Sequence, residues 1–71
     1  MAYRAVVDGL IKARKVRGLT QAEVAVAMRT DQSQVSKLER SERRLDIIDF
    51  VRYCRAIGVE PADFLRDIRL D

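Results

Sequence analysis

Six residues in one short polar run, Gln32, Ser33, Gln34, Ser36, Lys37 and Arg40, carry side chains suited to the edges of nucleic-acid bases. A glutamine can pair bidentately with adenine N6 and N7, a serine hydroxyl can donate to N7, and a lysine can donate to guanine O6 or N7. Only two large apolar residues, Val35 and Leu38, interrupt the run before Arg40. On a helix they form one narrow inward stripe and leave the rest of the surface facing out. Such a helix matches the major groove of duplex DNA in width. Arg29, Arg43 and Arg44 flank the run and could hold phosphates without reading sequence.

Most other chemistries lack their parts. The chain of 71 residues has no His, which removes the Cys/His zinc cluster, the His general base and the Ser-His-Asp triad. A lone Cys54 cannot form an internal disulfide, and its inward helical position reads as a small core residue. Asp46 and Asp49 resemble a carboxylate pair, but a helix cap explains their spacing better than acid–base catalysis. No enzyme, cofactor or metal site is expected. The single Cys and the absence of a leading apolar segment predict a cytoplasmic protein. The longest apolar run, Val24 to Met28, is far below the roughly 20 residues that a bilayer requires.

The net charge of +3 is unevenly spread. Residues 1–44 hold ten Lys and Arg against five acids, whereas residues 45–71 hold four against six. The basic part therefore coincides with the polar run.

Five helices are needed to position that run. Apolar residues recur at three and four, and no segment alternates as a strand would. Helix 1 places Tyr3, Val6, Val7, Leu10, Ile11 and Arg14 on one face and ends near Gly18, with Gly9 a cost of about 1 kcal/mol inside it. Thr20-Gln21-Ala22-Glu23 is a capping box that opens a short helix 2, whose apolar face is Val24, Ala27 and Met28. Asp31 caps helix 3 in the same way, over residues 32–40. Asp46 to Asp49 opens helix 4, with Ile47, Phe50, Val51, Cys54 and Ile57 inward and Gly58 closing it. Pro61 starts helix 5, over residues 61–70, carrying Phe64, Leu65, Ile68 and Leu70. Tyr3 and Tyr53 read as packing residues with wet hydroxyls, and Arg52, Arg55, Arg66 and Arg69 as weak surface partners of nearby acids.

Two capped short helices in tandem, the second polar outside, have the layout of a helix-turn-helix. From Leu10 to Leu65 the chain resembles the Cro and phage-repressor type of helix-turn-helix protein, the XRE family. The residues that carry the resemblance are Arg14, Gly18-Leu19-Thr20-Gln21, Ala22, Ala25, Val35 to Arg40 and Ile57-Gly58-Val59. It implies an all-α, five-helix, lambda-repressor-like single domain spanning residues 1–71. It also implies that Gln21 sits on a phosphate and braces Gln32 against adenine, that Ser33 and Lys37 contact bases, and that Arg14 and Glu39 form a structural ion pair. Base contacts are thus expected from Gln32, Ser33, Ser36 and Lys37. Phosphate contacts are expected from Thr20, Gln21, Arg29, Gln34, Arg40, Arg43 and Arg44. The family usually has Gly where Arg29 and Ser41 stand, and a polar residue where Ile48 stands.

Helix 5 carries more apolar surface than one small core covers, so Ile48, Leu65, Ile68 and Leu70 are expected to form a homodimer interface. Two recognition helices on a two-fold axis would read a palindromic operator in double-stranded DNA. The function expected is that of a sequence-specific transcriptional regulator, a repressor or autoregulator. The alternative is a protein-interaction module, an antitoxin or helical adaptor, acting through helix 4 or helix 5.

Overall fold

The computed structural model describes residues 2–68, and its regular elements are five helices: α1 Ala2–Val16, α2 Gln21–Met28, α3 Gln32–Glu39, α4 Ile47–Ala56 and α5 Pro61–Asp67. Each of the middle three starts on a cap written in the sequence. Thr20 Oγ1 accepts from the Glu23 amide at 3.1 Å while Glu23 accepts from the Thr20 amide at 2.9 Å. Asp46 and Asp49 make the same reciprocal pair at 2.7 and 3.1 Å. Asp31 accepts from the Gln34 amide at 3.0 Å. These bonds satisfy amides that the first helical turn leaves without partners.

The helix ends follow one plan. After α1, α2, α3 and α4 the chain turns through a left-handed residue, namely Gly18, Arg29, Ser41 and Gly58. The next amide reaches back five residues, as in Leu19 to Arg14 (3.1 Å), Thr30 to Ala25 (2.9 Å), Glu42 to Lys37 (2.9 Å) and Val59 to Cys54 (2.8 Å). This is the Schellman closure. Two of the four turns hold a residue with a Cβ, at φ 58° for Arg29 and φ 59° for Ser41, where a left-handed backbone costs roughly 1–2 kcal/mol. Arg29→Gly is therefore expected to stabilise the fold by about 1 kcal/mol, offset in part by the looser unfolded chain. That would raise Tm by roughly 4–8 °C in a thermal melt. Ser41→Gly should gain less, because Ser41 Oγ also accepts from Arg4 at 2.7 Å.

The core gathers Leu10, Val24, Val35, Leu38, Phe50, Cys54 and Ile57 between the helices. α2 packs on α3 and α4, α3 on α1, and α4 on α5. Gly9 has a positive reason to be in α1. A Cβ there would lie 3.0 Å from Phe64 Cζ and 3.2 Å from Ile68 Cδ1, so its absence lets α5 close against α1.

Several expectations are corrected. Ile47 is 69% exposed rather than inward, because the buried stripe of α4 runs 50, 53, 54 and 57 and Ile47 hangs beyond it at the first helical position. On α2 it is Ala25 that is buried, and Ala27 faces solvent. Tyr53 is fully buried rather than a packing residue with a wet hydroxyl. α5 ends at Asp67, three residues short of its expected end, and Ile68 is extended and lies back over Gly9. Leu70 and Arg69 lie outside the described residues. Arg66 pairs with Asp63 at 3.0 Å, but Arg52 and Arg55 have no acidic partner among the described residues.

Candidate nucleic-acid interface

The outer face of α3 carries Gln32, Ser33 and Lys37 exposed to solvent, with Gln34 and Ser36 half-buried beside them. Val35 and Leu38 anchor the opposite side in the core. Ser33 Oγ donates to the Asp31 carboxylate at 2.6 Å, which leaves its oxygen free to accept. That bond and the Gln34 amide hold the Asp31 carboxyl below its ordinary value. Ser36 Oγ accepts from Arg40.

The basic residues beyond α3 are held in place. Arg40 pairs with Glu42 at 2.8 Å, and Arg43 reaches the α4 cap at Asp49 at 3.1 Å. The Arg44 guanidinium lies 4.2 Å from the centre of the Tyr3 ring, a cation–π contact. Tyr3 in turn accepts from the Leu45 amide at 2.7 Å. The loop between α3 and α4 thus presents a basic edge with little freedom, which suits backbone positioning more than base reading.

One buried carboxylate joins this surface to the core. Arg14 Nε and Nη2 donate to Glu39 at 2.8 and 2.9 Å, the bidentate geometry of the expected ion pair. Tyr53 Oη donates to Glu39 Oε2 at 2.6 Å, and Gln21 Nε2 donates to Oε1 at 3.0 Å. Burial pushes the Glu39 carboxyl up, but the donations from Arg14, Tyr53 and Gln21 outweigh it and hold the group below its ordinary value. Burial and the adjacent carboxylate push the Tyr53 phenol well up. Arg14 also donates to the Leu19 carbonyl at 2.9 Å, and Arg4 donates to the Glu39 carbonyl at 2.9 Å.

Gln21 therefore bonds to Glu39 here, and not to Gln32. A carboxylate only accepts, so this contact fixes which end of the Gln21 amide points inward. The second N–H and the carbonyl oxygen remain for a phosphate and a neighbouring side chain. The roles of Tyr53, Arg4 and the Gln21–Glu39 bond escaped the sequence reading. Tyr53 lies three residues after Phe50 and four before Ile57, so its phase alone could have placed it inside.

Arg29 stands apart from the loop arginines. It closes α2 in the left-handed turn and lines a groove with Arg52 and Arg55 of α4. Cys54 is buried and its thiol is pushed up to about 11, chiefly by desolvation, which makes it an inert core group. Among the described residues, no group of His, Cys, Asp and Glu could hold a metal ion, and no helix is long and apolar enough to cross a membrane.

Comparison with known proteins agrees with this arrangement. A helix-turn-helix family model matches residues 10–64, from the middle of α1 through Phe64 of α5. The chain belongs to the XRE-type helix-turn-helix family. Among solved structures it is similar to an XRE-family like protein from Pseudomonas syringae pv. tomato, at 46% identity and TM-score 0.89 over 92% of this chain and 79% of that one. It is also similar to the clp gene regulator ClgR from Corynebacterium glutamicum, at 29% identity and TM-score 0.81 over 93% and 86% of the two chains. No curated protein sequence gives a match. In this XRE-type domain, α2 and α3 are the helix-turn-helix.

Proposed function

We infer that this protein is a transcriptional regulator that binds a palindromic operator as a homodimer and represses from it, its own promoter included. DNA binding is the activity of its family, and the similarity to a clp gene regulator supports the regulatory role. The observation that carries the reading is the outer face of α3. It is polar, capped at its start and held from behind by Glu39 and the core, as a base-reading surface requires. Gln32, Ser33, Ser36 and Lys37 read bases. Thr20, Gln21, Gln34, Arg40, Arg43 and Arg44 hold the phosphates on either side.

Random-oligonucleotide selection on the purified protein tests this. An enriched inverted repeat, with half-sites centred about 34–36 Å apart or a multiple of that, is expected. Enrichment of no motif would favour the protein-interaction reading.

The exposed apolar residues support a dimer surface on α4 and α5. Ile47, Ile48 and Leu65 are 69%, 56% and 47% exposed, and Ile47 and Leu65 line one apolar groove with Val6 and Phe50. Ile68 packs over Gly9 of α1 and is half-buried, so it contributes less exposed apolar surface to the proposed interface than Ile48 and Leu65. Leu65→Asp is expected to convert the dimer to monomers in sedimentation velocity and to weaken operator binding, with helical content unchanged. A dimer that persists in this variant would place the contact elsewhere. The protein acts in the cytoplasm, where DNA and a reducing environment coincide.

A further inference from the structure

Arginines in this fold are sorted by partner. Arg4, Arg14, Arg40, Arg43 and Arg66 each meet a carboxylate, and Arg44 lies on the Tyr3 ring. Arg17 lines the groove between α1 and α5 together with Glu60, Asp63 and Asp67. Arg29, Arg52 and Arg55 differ from all of these. No carboxylate of the described residues lies within ion-pair distance of them. Yet the three share one groove of about 490 Å³, whose other lining residues are Ala27, Met28 and Ala56.

Arg52 and Arg55 are three apart on α4 and so share its face, while the left-handed turn at Arg29 ends α2 beside them. Three like charges with no counter-charge repel one another, and the groove contains no acid of its own to relieve this. Ala27, Met28 and Ala56 add apolar surface to a lining that is otherwise arginine. Val26, on the adjoining outer surface of α2, is 79% exposed. Guanidinium forks suit carboxylates bidentately, and the apolar part of the lining suits aliphatic side chains beside them. A single small anion would meet three solvated arginines and bury nothing apolar. A phosphodiester backbone would gain nothing from the alanines or from Val26. The groove is lined from α2, the turn that ends it and α4, and none of its lining residues belongs to α3.

We propose that the groove formed by Arg29, Arg52 and Arg55 docks an acidic segment of another protein, with Asp or Glu side chains interleaved by aliphatic ones, while α3 occupies DNA. The surface is separate from the one that reads bases, so the two contacts are compatible in one complex.

A fluorescein-labelled peptide of repeating Asp-Asp-Leu is the probe, titrated with the full chain and followed by fluorescence anisotropy. Saturable, salt-sensitive binding is expected, weakened about tenfold by Arg52→Ala combined with Arg55→Ala. The same double variant should keep its melting temperature and its operator affinity. Absence of saturable peptide binding overturns the proposal. So does equal competition by inorganic phosphate at matched ionic strength, which would make the groove a general anion site. A fall in operator affinity and salt slope for the double variant, with peptide binding unchanged, would assign the groove to DNA instead.

Discussion

Glu39→Ala is expected to destabilise the fold by about 3–5 kcal/mol, the scale for removing one member of a buried ion pair. For a domain with a typical total of 5–15 kcal/mol, that is a large share. The size follows from what is left behind. Arg14, Tyr53 and Gln21 all donate to this one carboxylate, and its removal strands a buried guanidinium and a buried phenol together. Chemical denaturation should show the loss, and Glu39→Gln should fall between wild type and alanine. A loss below about 1 kcal/mol for Glu39→Ala would mean that water replaces the carboxylate freely, contrary to its burial. The acid limb offers a second check. The folded-state Glu39 carboxyl is held below its ordinary value, so its contribution is complete at neutral pH and is lost as pH falls through the folded value. Glu39→Gln should accordingly flatten the decline of stability with acid.

Gln32→Ala combined with Lys37→Ala is expected to reduce operator affinity by about thirtyfold or more at moderate salt, at about 1–3 kcal/mol for each good base contact. Both side chains are exposed on α3 and make no hydrogen bond among the described residues, so stability should not change. The single variant Lys37→Ala should relax preference at one base position. Arg43→Ala should weaken all sequences alike and reduce the salt slope by about one, because a phosphate contact carries no sequence information. Competition titrations against operator and scrambled duplex separate the two behaviours. Unchanged affinity in the Gln32, Lys37 double variant would remove α3 as the reading element.

Much of the architecture was legible because it is written in local chemistry. Thr20, Asp31 and Asp46 cap the helices they were expected to cap, and Gly18 and Gly58 close the turns where a left-handed residue is cheapest. Arg29 and Ser41 adopt the same backbone without that ease, and only the family resemblance pointed to it. What escaped depends on contacts across the chain. The inward phase of α4 is decided by the helices around it, so Ile47 lies outside against expectation and the Tyr53 hydroxyl is buried on Glu39 instead of wet. Arg52 has Asp49 one helical turn before it, but that carboxylate is already engaged by the Asp46 amide and by Arg43. The last turn of α5 is apolar enough to continue, and closure of Ile68 over Gly9 ends it instead. The phosphate role of Gln21 is what the family resemblance implies, and its bond to Glu39 required knowing that α3 ends beside it.

Glu39 receives side-chain bonds from α1, from α2 and from α4 while itself ending α3, so one residue is shared by four of the five helices. Its partners lie 14, 18 and 25 residues away, and no fragment shorter than the stretch from Arg14 to Tyr53 contains the whole set. A helix-turn-helix pair excised from this chain would lose that closure and should not persist as an autonomous unit. The division of labour along α3 has an evolutionary side. Val35, Leu38 and Glu39 carry the architecture, Ser33 adds only a bond to the Asp31 cap, and Gln32 and Lys37 are exposed. Under the proposed function, operator preference can drift at the outer positions without eroding the scaffold, which leaves room to acquire new targets.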